Sequence, residues 1–528
     1  MRLGVERDLK RLFDSAAALP LAVLALVVVG GALRLFVAGQ DLFADELSTY
    51  WVVSTHGLSG VVETVSTTAE ITPPLGFVLS WLTSRIGLSP ELIRLPALVA
   101  GIGSIPLVYA VGIRTVGRSA ALLAAALTTL SPFMIFYSAE ARGYGVLMAL
   151  VLLSTLALLL AVEDGRRRWW VAYGVFVCLA AYTHYTGVFV LAAQFGWAFW
   201  VHPRGRRPLL IATVAAALAF IPWLPSLKGD LDSPTTVILS FLSPFDLESA
   251  RLTLGHWSIG LPLSGPAPSP FAIAGASLRD LPGVPALLLL AASIGVGVYG
   301  IFTMRSRLGQ WFAAHEGRIV LVLLLALATP VGTALQSAVG TNVFSTRSLA
   351  ASWPYLALAV AALITVGRPA PRITAAALSV AAFGLGAATL LSTDFQRPDY
   401  SRMAQFADEH PGGVVVDGAG FSPGPLTNFD VEGSSPDAEV FRLNLPEQMK
   451  TPFVAGRPRP DPAVVARRAA AAAGGGPITV IAIVPLAPVV AELIEQLPPG
   501  YELTDRELAP SVFLDLQALV YERRPAVG

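Results

Sequence analysis

The chain has 528 residues, of which 54% are hydrophobic and 14% charged, with 36 Lys+Arg set against 36 Asp+Glu, and its mean hydropathy is +0.64. Soluble domains carry about 25% charged residues, so this deficit, gathered into long apolar blocks, excludes an ordinary soluble domain and indicates an integral membrane protein of many spans. The balanced charge gives no pull toward nucleic acid, and a single cysteine, Cys178, excludes an intrachain disulfide.

A membrane crossing needs about 20 apolar residues in a helix. In chain order, the blocks that approach this length predict spans at 17–38, 95–113, 119–137, 144–162, 169–183, 187–201, 208–225, 284–303, 317–338, 349–366 and 373–391, about eleven in all. Arg2, Arg7, Lys10 and Arg11 precede the first block and favour a cytoplasmic N-terminus. No small-x-small cleavage site follows it, so it reads as a retained span and not as a signal peptide. Counting from inside, the cytoplasmic loops fall at 114–118, 163–168, 202–207, 304–316 and 367–372. Each is short and bears arginine, as the positive-inside rule requires.

The opposite face then holds a long first loop (39–94), short junctions near 138–143 and 184–186, a long loop (226–283), a loop at 339–348, and everything after 391. Within the first loop, "TTAEITPPLGFVLSWL" (67–82) predicts an interfacial helix introduced by Pro73-Pro74. After 391 the apolar blocks give way to strand-like runs at 413–417, 477–484 and 512–522, separated by helix-like pieces at 462–473 and 486–496. The fold expected is a polytopic all-α transmembrane bundle over 1–391, with interfacial helices in its first outer loop. A small extracytoplasmic α/β domain follows over 392–528. No internal or inverted repeat of the transporter kind is visible.

Ionisable and aromatic groups recur at the outer junctions. "DLFADELSTYW" (41–51) carries Asp45 and Glu46, and Glu70 lies further along the same loop. "FYSAEARGYGVLMAL" (136–150) carries Glu140, Arg142 and Tyr144; "AYTHYTGVFVLAAQ" (181–194) carries His184 and Tyr185; "NVFSTRSLAASWPYLALAV" (342–360) carries Arg347. Taken singly, each has an ordinary explanation. Carboxylates at a span's end are solvated, arginines snorkel to headgroups, aromatics anchor at the interface, and a Glu140–Arg142 pair at the surface contributes little. Their recurrence on one face is what such explanations leave out, because it offers a base, cations and a histidine that could converge.

"ADELSTYW", "TPPLGF", "YSAEARGYGVLMAL" and "YTHYTGVFVLAAQ", in this order, resemble the GT-C superfamily of membrane glycosyltransferases over roughly residues 15–400. The branch they are most similar to comprises bacterial relatives of protein O-mannosyltransferases and lipid A aminoarabinose transferases. The resemblance implies an acidic pair in the first outer loop, a sugar donor linked to a polyprenyl phosphate, and an acceptor glycosylated outside the cell membrane. It implies an inverting transferase, in which Asp45 takes the acceptor proton and Glu46 orients the loop, the acceptor or a cation. Arg142 and Arg347 would face the donor phosphate, Tyr144, His184 and Tyr185 would bind phosphate or substrate, and Glu70 would stand nearby. The sugar implied is mannose-like or arabinose-like, and the acceptor an envelope glycan, lipid or protein. Two departures stand out: Thr72 precedes Pro73-Pro74 where relatives often place His, and Ser348 follows Arg347 where they often place Tyr. No metal-ligand spacing is present, so no cofactor is expected to be required, and a divalent cation at Asp45 and Glu46 is left open.

Two other classes compete. A flippase or transporter of a lipid-linked or anionic solute would place its functional charges near mid-membrane, on helices broken in paired halves. In this chain the spans hold little charge, with Arg34 the main exception. An envelope scaffold would not require the junction pattern at all.

Overall fold

The computed structural model describes residues 18–43, 45–67, 70–232, 244–261, 283–304, 309, 317–410, 413–418, 439–442, 462–513 and 515–523. The first span is α1 (Ala18–Ala38). The first loop folds into three short helices, α2 (Asp45–Thr55), α3 (Leu58–Val65) and α4 (Leu75–Ser84). The last of these begins just after Pro74, where its missing N–H costs nothing. Then come α5 (Pro90–Thr115), α6 (Arg118–Leu130), α7 (Pro132–Ser138), α8 (Tyr144–Asp164), α9 (Arg167–Ala181), α10 (Gly187–Val201), α11 (Arg206–Phe220), α12 (Leu224–Leu231) and α13 (Leu247–Ile259). The bundle closes with α14 (Val284–Phe302), α15 (Arg318–Val339), a 3-10 turn at Thr346–Ser352, α16 (Trp353–Val366) and α17 (Pro369–Leu390).

All eleven predicted segments are helical. Among the described residues, eight helices are long and apolar enough to cross a membrane, or nine with the bent pair α6–α7 taken as one span. The difference arises mainly at α9 and α10, of 15 residues each, which at 1.5 Å per residue reach about 22 Å, short of the roughly 30 Å hydrocarbon layer. The interior is built on α8 and on the stretch Thr346–Val366, whose apolar windows are 78% and 72% buried. There the Tyr355 hydroxyl donates to Val151 O at 2.7 Å, which satisfies its polar atom without water. By contrast α1 and α14 are mostly exposed, at 22% and 17% buried, and their apolar surface is suited to lipid.

A break in the bundle shapes its outer end. Ser131-Pro132 interrupts the helix begun by α6, and α7 leaves it at 61°, because proline has no N–H to continue the ladder. The Ser131 hydroxyl caps the new helix on Met134 N (3.2 Å). The orphaned carbonyls of Thr128 and Thr129 accept from the fully buried Arg34 at 3.0 and 3.3 Å, while Arg34 Nε holds Ser138 at 2.8 Å. At Gly101 a Cβ would stand 2.0 Å from that of Ser138, so only glycine lets α5 and α7 approach so closely.

After α17, a short α18 (Tyr400–Asp408) leads into a five-stranded sheet: β1 (Val414–Gly418), β2 (Glu439–Arg442), β3 (Ile478–Ile483), β4 (Tyr501–Ala509) and β5 (Leu516–Arg523), with α19 (Pro462–Ala473) and α20 (Pro488–Glu495). Its order is β2-β1-β3-β5-β4; β1 pairs parallel with β2 and β3, whereas β5 pairs antiparallel with β3 and β4. Three strands and both helices lie where the sequence predicts. The sequence announces neither β2 nor β4; β4 is mostly exposed and rich in charge, and shows no apolar alternation.

Candidate active site

Helix α2 starts on the acidic pair itself. A helix N-terminus favours negative charge, and Phe43 closes the turn by accepting from Glu46 N at 3.1 Å while its own N–H donates to Glu46 Oε2 at 3.3 Å. Successive side chains on a helix diverge by about 100°. Accordingly Glu46 turns inward, 1% exposed, and Asp45 turns outward with 36% of its side chain open.

Glu46 is saturated. Its Oε1 accepts from Arg94 Nε at 2.7 Å and from Ala141 N at 2.8 Å; its Oε2 accepts from Arg94 Nη2 at 2.7 Å and faces Arg397 Nε at 3.1 Å. Burial alone would raise its pKa, but the two guanidiniums outweigh burial and hold the carboxyl below its usual range. Through Ala141 it fixes the backbone between Glu140 and Arg142.

Asp45 pairs with Arg347, whose side chain is 32% exposed. Again burial pushes upward and is overridden, here by Arg347 and then Arg142, so the carboxyl stays ionised. Arg142 donates to Glu70 at 3.0 Å, in a pair only 7% and 8% exposed, and lies 5.1 Å from the Phe77 ring. Glu70 also accepts from Ser48. Burial would lower the Arg142 pKa; Glu70 and Asp45 more than reverse that and keep it charged.

His184 sits in the turn between α9 and α10, 5.2 Å from the Tyr144 ring. Its Nδ1 accepts from Thr186 N at 3.3 Å, which puts the proton of the neutral ring on Nε2. Burial, then Arg347 and Arg142, push its pKa down to about 3, so it is uncharged at physiological pH. Arg142, Tyr144 and His184 line a small cleft together with Thr49, Thr72, Pro73 and Phe77. The cleft is narrow because the 139–143 loop is pressed between α4 and the α9–α10 turn. A Cβ on Gly76 would lie 3.3 Å from Gly143 Cα, and one on Gly143 would lie 3.0 Å from Thr183 Cγ2. Tyr185 is placed elsewhere: its hydroxyl meets Asp230 and accepts from Trp223 Nε1 at 3.0 Å.

Asp45, Glu46, Glu70, Arg142, Tyr144, His184 and Arg347 are thus brought to one end of the bundle, and Tyr185 lies outside the cleft. Three residues join them that sequence reasoning does not assign to the site. Arg94 and Arg397 hold Glu46. Glu140 lies beside them with its Oε2 finding no hydrogen-bond partner among the described residues; burial, then Glu46, push its carboxyl up to about 7. Arg94 stands three residues after Glu91 at the start of an otherwise apolar run, a signal that could have been read; Arg397 carries none. Among the described residues no group of three or more His, Cys, Asp or Glu side chains is arranged to hold a metal ion. Chemically the site offers an ionised, accessible carboxylate beside two guanidiniums and a neutral imidazole N–H donor.

Residues 72–227 match the family of dolichyl-phosphate-mannose-protein mannosyltransferases, a stretch that contains Arg94, Glu140, Arg142 and His184. No curated protein matches the chain in sequence. In structure the chain is similar to apo ArnT from Cupriavidus metallidurans, at 13% identity and a TM-score of 0.56, over 96% of this chain and 98% of that one. The same protein bound to undecaprenyl phosphate gives 12% identity and a TM-score of 0.52 over the same shares. The archaeal oligosaccharyltransferase AglB from Archaeoglobus fulgidus, in complex with an inhibitory peptide and a dolichol-phosphate, gives 12% and 0.47, over 88% of this chain and 69% of that one. The chain resembles the GT-C superfamily of membrane glycosyltransferases, in sequence over residues 72–227 and in fold over nearly its whole length.

Proposed function

We propose that this protein is an inverting glycosyltransferase that moves a mannose-like or arabinose-like sugar from a polyprenyl-phosphate donor to a hydroxyl of an envelope glycan, lipid or protein. The work is done at the outer face of the cell membrane, with the N-terminus inside and the C-terminal domain outside, as the arginine-bearing loops favour. One observation carries the reading: Asp45, ionised and a third exposed, is paired with Arg347 beside the cleft that holds Arg142 and His184. Undecaprenyl phosphate is the carrier we favour, because a structure of similar fold binds it; a mannose-like sugar is suggested by the family matched at 72–227.

In this reaction the acceptor hydroxyl gives its proton to Asp45 as its oxygen attacks the anomeric carbon. The bond from that carbon to the phosphate oxygen breaks, the electron pair leaves with the lipid phosphate, and a single displacement inverts the centre. Arg142 and Arg347 receive the growing phosphate charge, and His184 Nε2–H adds a neutral donor. Arg347 must leave Asp45 to reach the phosphate. That exchange raises the basicity of Asp45 at the moment a base is required. Purified protein, given labelled undecaprenyl-phosphate-mannose or -arabinose and a washed membrane fraction, is expected to transfer the label with inversion; retention of configuration, or no transfer from either donor, would sink the reading.

The bent pair α6–α7 is the one observation that suits a flippase. Translocation of the lipid donor across liposomes by the Asp45→Asn variant would favour that alternative.

A further inference from the structure

The last bundle helix ends at Leu390, and the chain runs on through Asp394–Ser401 before it reaches the sheet. Arg397 lies on this arm and is 3% exposed. Its guanidinium donates to Ala139 O at 3.2 Å and Val37 O at 3.4 Å, faces Glu46 Oε2 at 3.1 Å, and stacks 4.6 Å over the Phe136 ring. It therefore touches the end of α1, the first turn of α2, and the residue just before Glu140. The arm is fastened on either side. Arg397 N–H donates to Gln40 Oε1 at 3.1 Å, and Ser401 gives both its N–H (2.7 Å) and its hydroxyl (2.8 Å) to Asp41. From the far end of the chain, Ser511 holds Gln396 O and Val512 N holds Asp394 O, each at 2.8 Å, and Phe513 stacks on Phe136 at 5.4 Å.

Glu46 already has a full partner in Arg94, with two bonds of 2.7 Å. A second buried guanidinium is not needed to neutralise it, and burying one costs several kcal/mol before its contacts offset that cost. Of the two carbonyls that Arg397 holds, that of Ala139 directly precedes Glu140 and the cleft residues Ala141–Tyr144, and that of Val37 ends α1, while the Glu46 carboxylate it faces lies in the first turn of α2 beside Asp45. Resting on the transferase reading, we propose that Arg397 is a positioning residue of the active site, supplied by the C-terminal arm. By clamping Ala139 and Glu46 it holds Glu140, Arg142 and Asp45 in register, and it makes the C-terminal domain part of the transfer machinery. Arg397 acts through these groups and does not meet the sugar or the phosphate.

The test compares full-length wild type, R397M, R397K and D45N in one detergent, measuring kcat and donor KM with undecaprenyl-phosphate-linked sugar, binding of undecaprenyl phosphate alone, and the unfolding midpoint. A small displacement of catalytic groups costs about 100-fold in rate, so R397M is expected to lose about that much in kcat while donor KM and lipid-phosphate binding stay within about threefold. R397K keeps the charge but not the planar fork, and is expected to fall between R397M and wild type. Should R397M not fold, R397K against wild type decides the matter: a kcat loss of roughly tenfold at unchanged donor KM supports the inference. Wild-type kcat in either folded variant, with D45N inactive, overturns the role of Arg397 alone. Wild-type kcat in D45N overturns the transferase mechanism, and this inference with it.

Discussion

Glu46 and Arg94 are joined by a fork of two bonds, Nε to Oε1 and Nη2 to Oε2, each 2.7 Å long and wholly buried. Adjacent in sequence to Asp45, Glu46 is therefore held by structural partners, and the proposed mechanism gives the acceptor proton to Asp45. Removing one partner of a buried pair costs about 3–5 kcal/mol. Glu46→Gln and Arg94→Met are each expected to lower the unfolding midpoint in detergent sharply. The double variant is expected to lose less than the sum of the two, because the partners share one interaction. Strict additivity would contradict the pairing.

Arg347 contributes twice in the proposed mechanism, to the phosphate and to Asp45. Arg347→Gln is expected to raise donor KM by about tenfold or more, the loss of one charge-assisted contact. It also removes the leading cation that holds the Asp45 carboxyl down. In the free enzyme the base then protonates at higher pH, and the acid limb of the kcat/KM profile moves upward; an unmoved limb would separate Arg347 from the base.

Glu140 makes a prediction about stability. Burial and Glu46 raise its carboxyl from 4.5 to about 7, so the folded state binds a proton that the unfolded chain has released. Its contribution is complete below pH 4.5 and declines as pH rises through 7. Asp45 and Glu46, with lowered values, act oppositely and only in more acidic solution. Chemical-denaturant unfolding between about pH 5 and 8 should show that Glu140 contributes a downward slope of stability with pH, set against the upward slope that His184 contributes below its unfolded pKa, and Glu140→Gln should remove that downward part. A slope unchanged in the variant would remove Glu140 as its source.

His184 should be silent as a titrating group. With its imidazole held down to about 3 by burial and the two arginines, it stays neutral from about pH 5 to 8. His184→Asn is therefore expected to lower kcat/KM without altering the shape of the pH profile in that window. Loss of an inflection near about pH 6.5 in the variant would show a charged histidine instead.

How much of the site is legible in the sequence depends on the range of the interactions that build it. The divergence of Asp45 and Glu46 is a matter of helical pitch, and the arginine-bearing loops place the junctions on one face without reference to any contact. The spans are visible as apolar blocks, but the break at Ser131-Pro132 is not, since its cost is offset by Arg34, 94 residues or more away from the carbonyls it caps. Tyr185 is grouped with His184 by adjacency, yet the turn sends its hydroxyl to Asp230. Arg397 has no local signal: its meaning lies in contacts across a separation of 258 residues to Ala139. β4 is an exposed edge, where no buried face imprints an alternating pattern.

The central claim is that Asp45 accepts the proton of the acceptor hydroxyl. It is tested most directly by single-turnover transfer from a saturating undecaprenyl-phosphate-linked sugar, comparing wild type with Asp45→Asn, a change that preserves shape and removes basicity. General base catalysis is worth about 10² to 10⁴ in rate, so the variant is expected to bind donor normally and transfer at least about 100-fold more slowly. Transfer by the variant at the wild-type rate would contradict the claim.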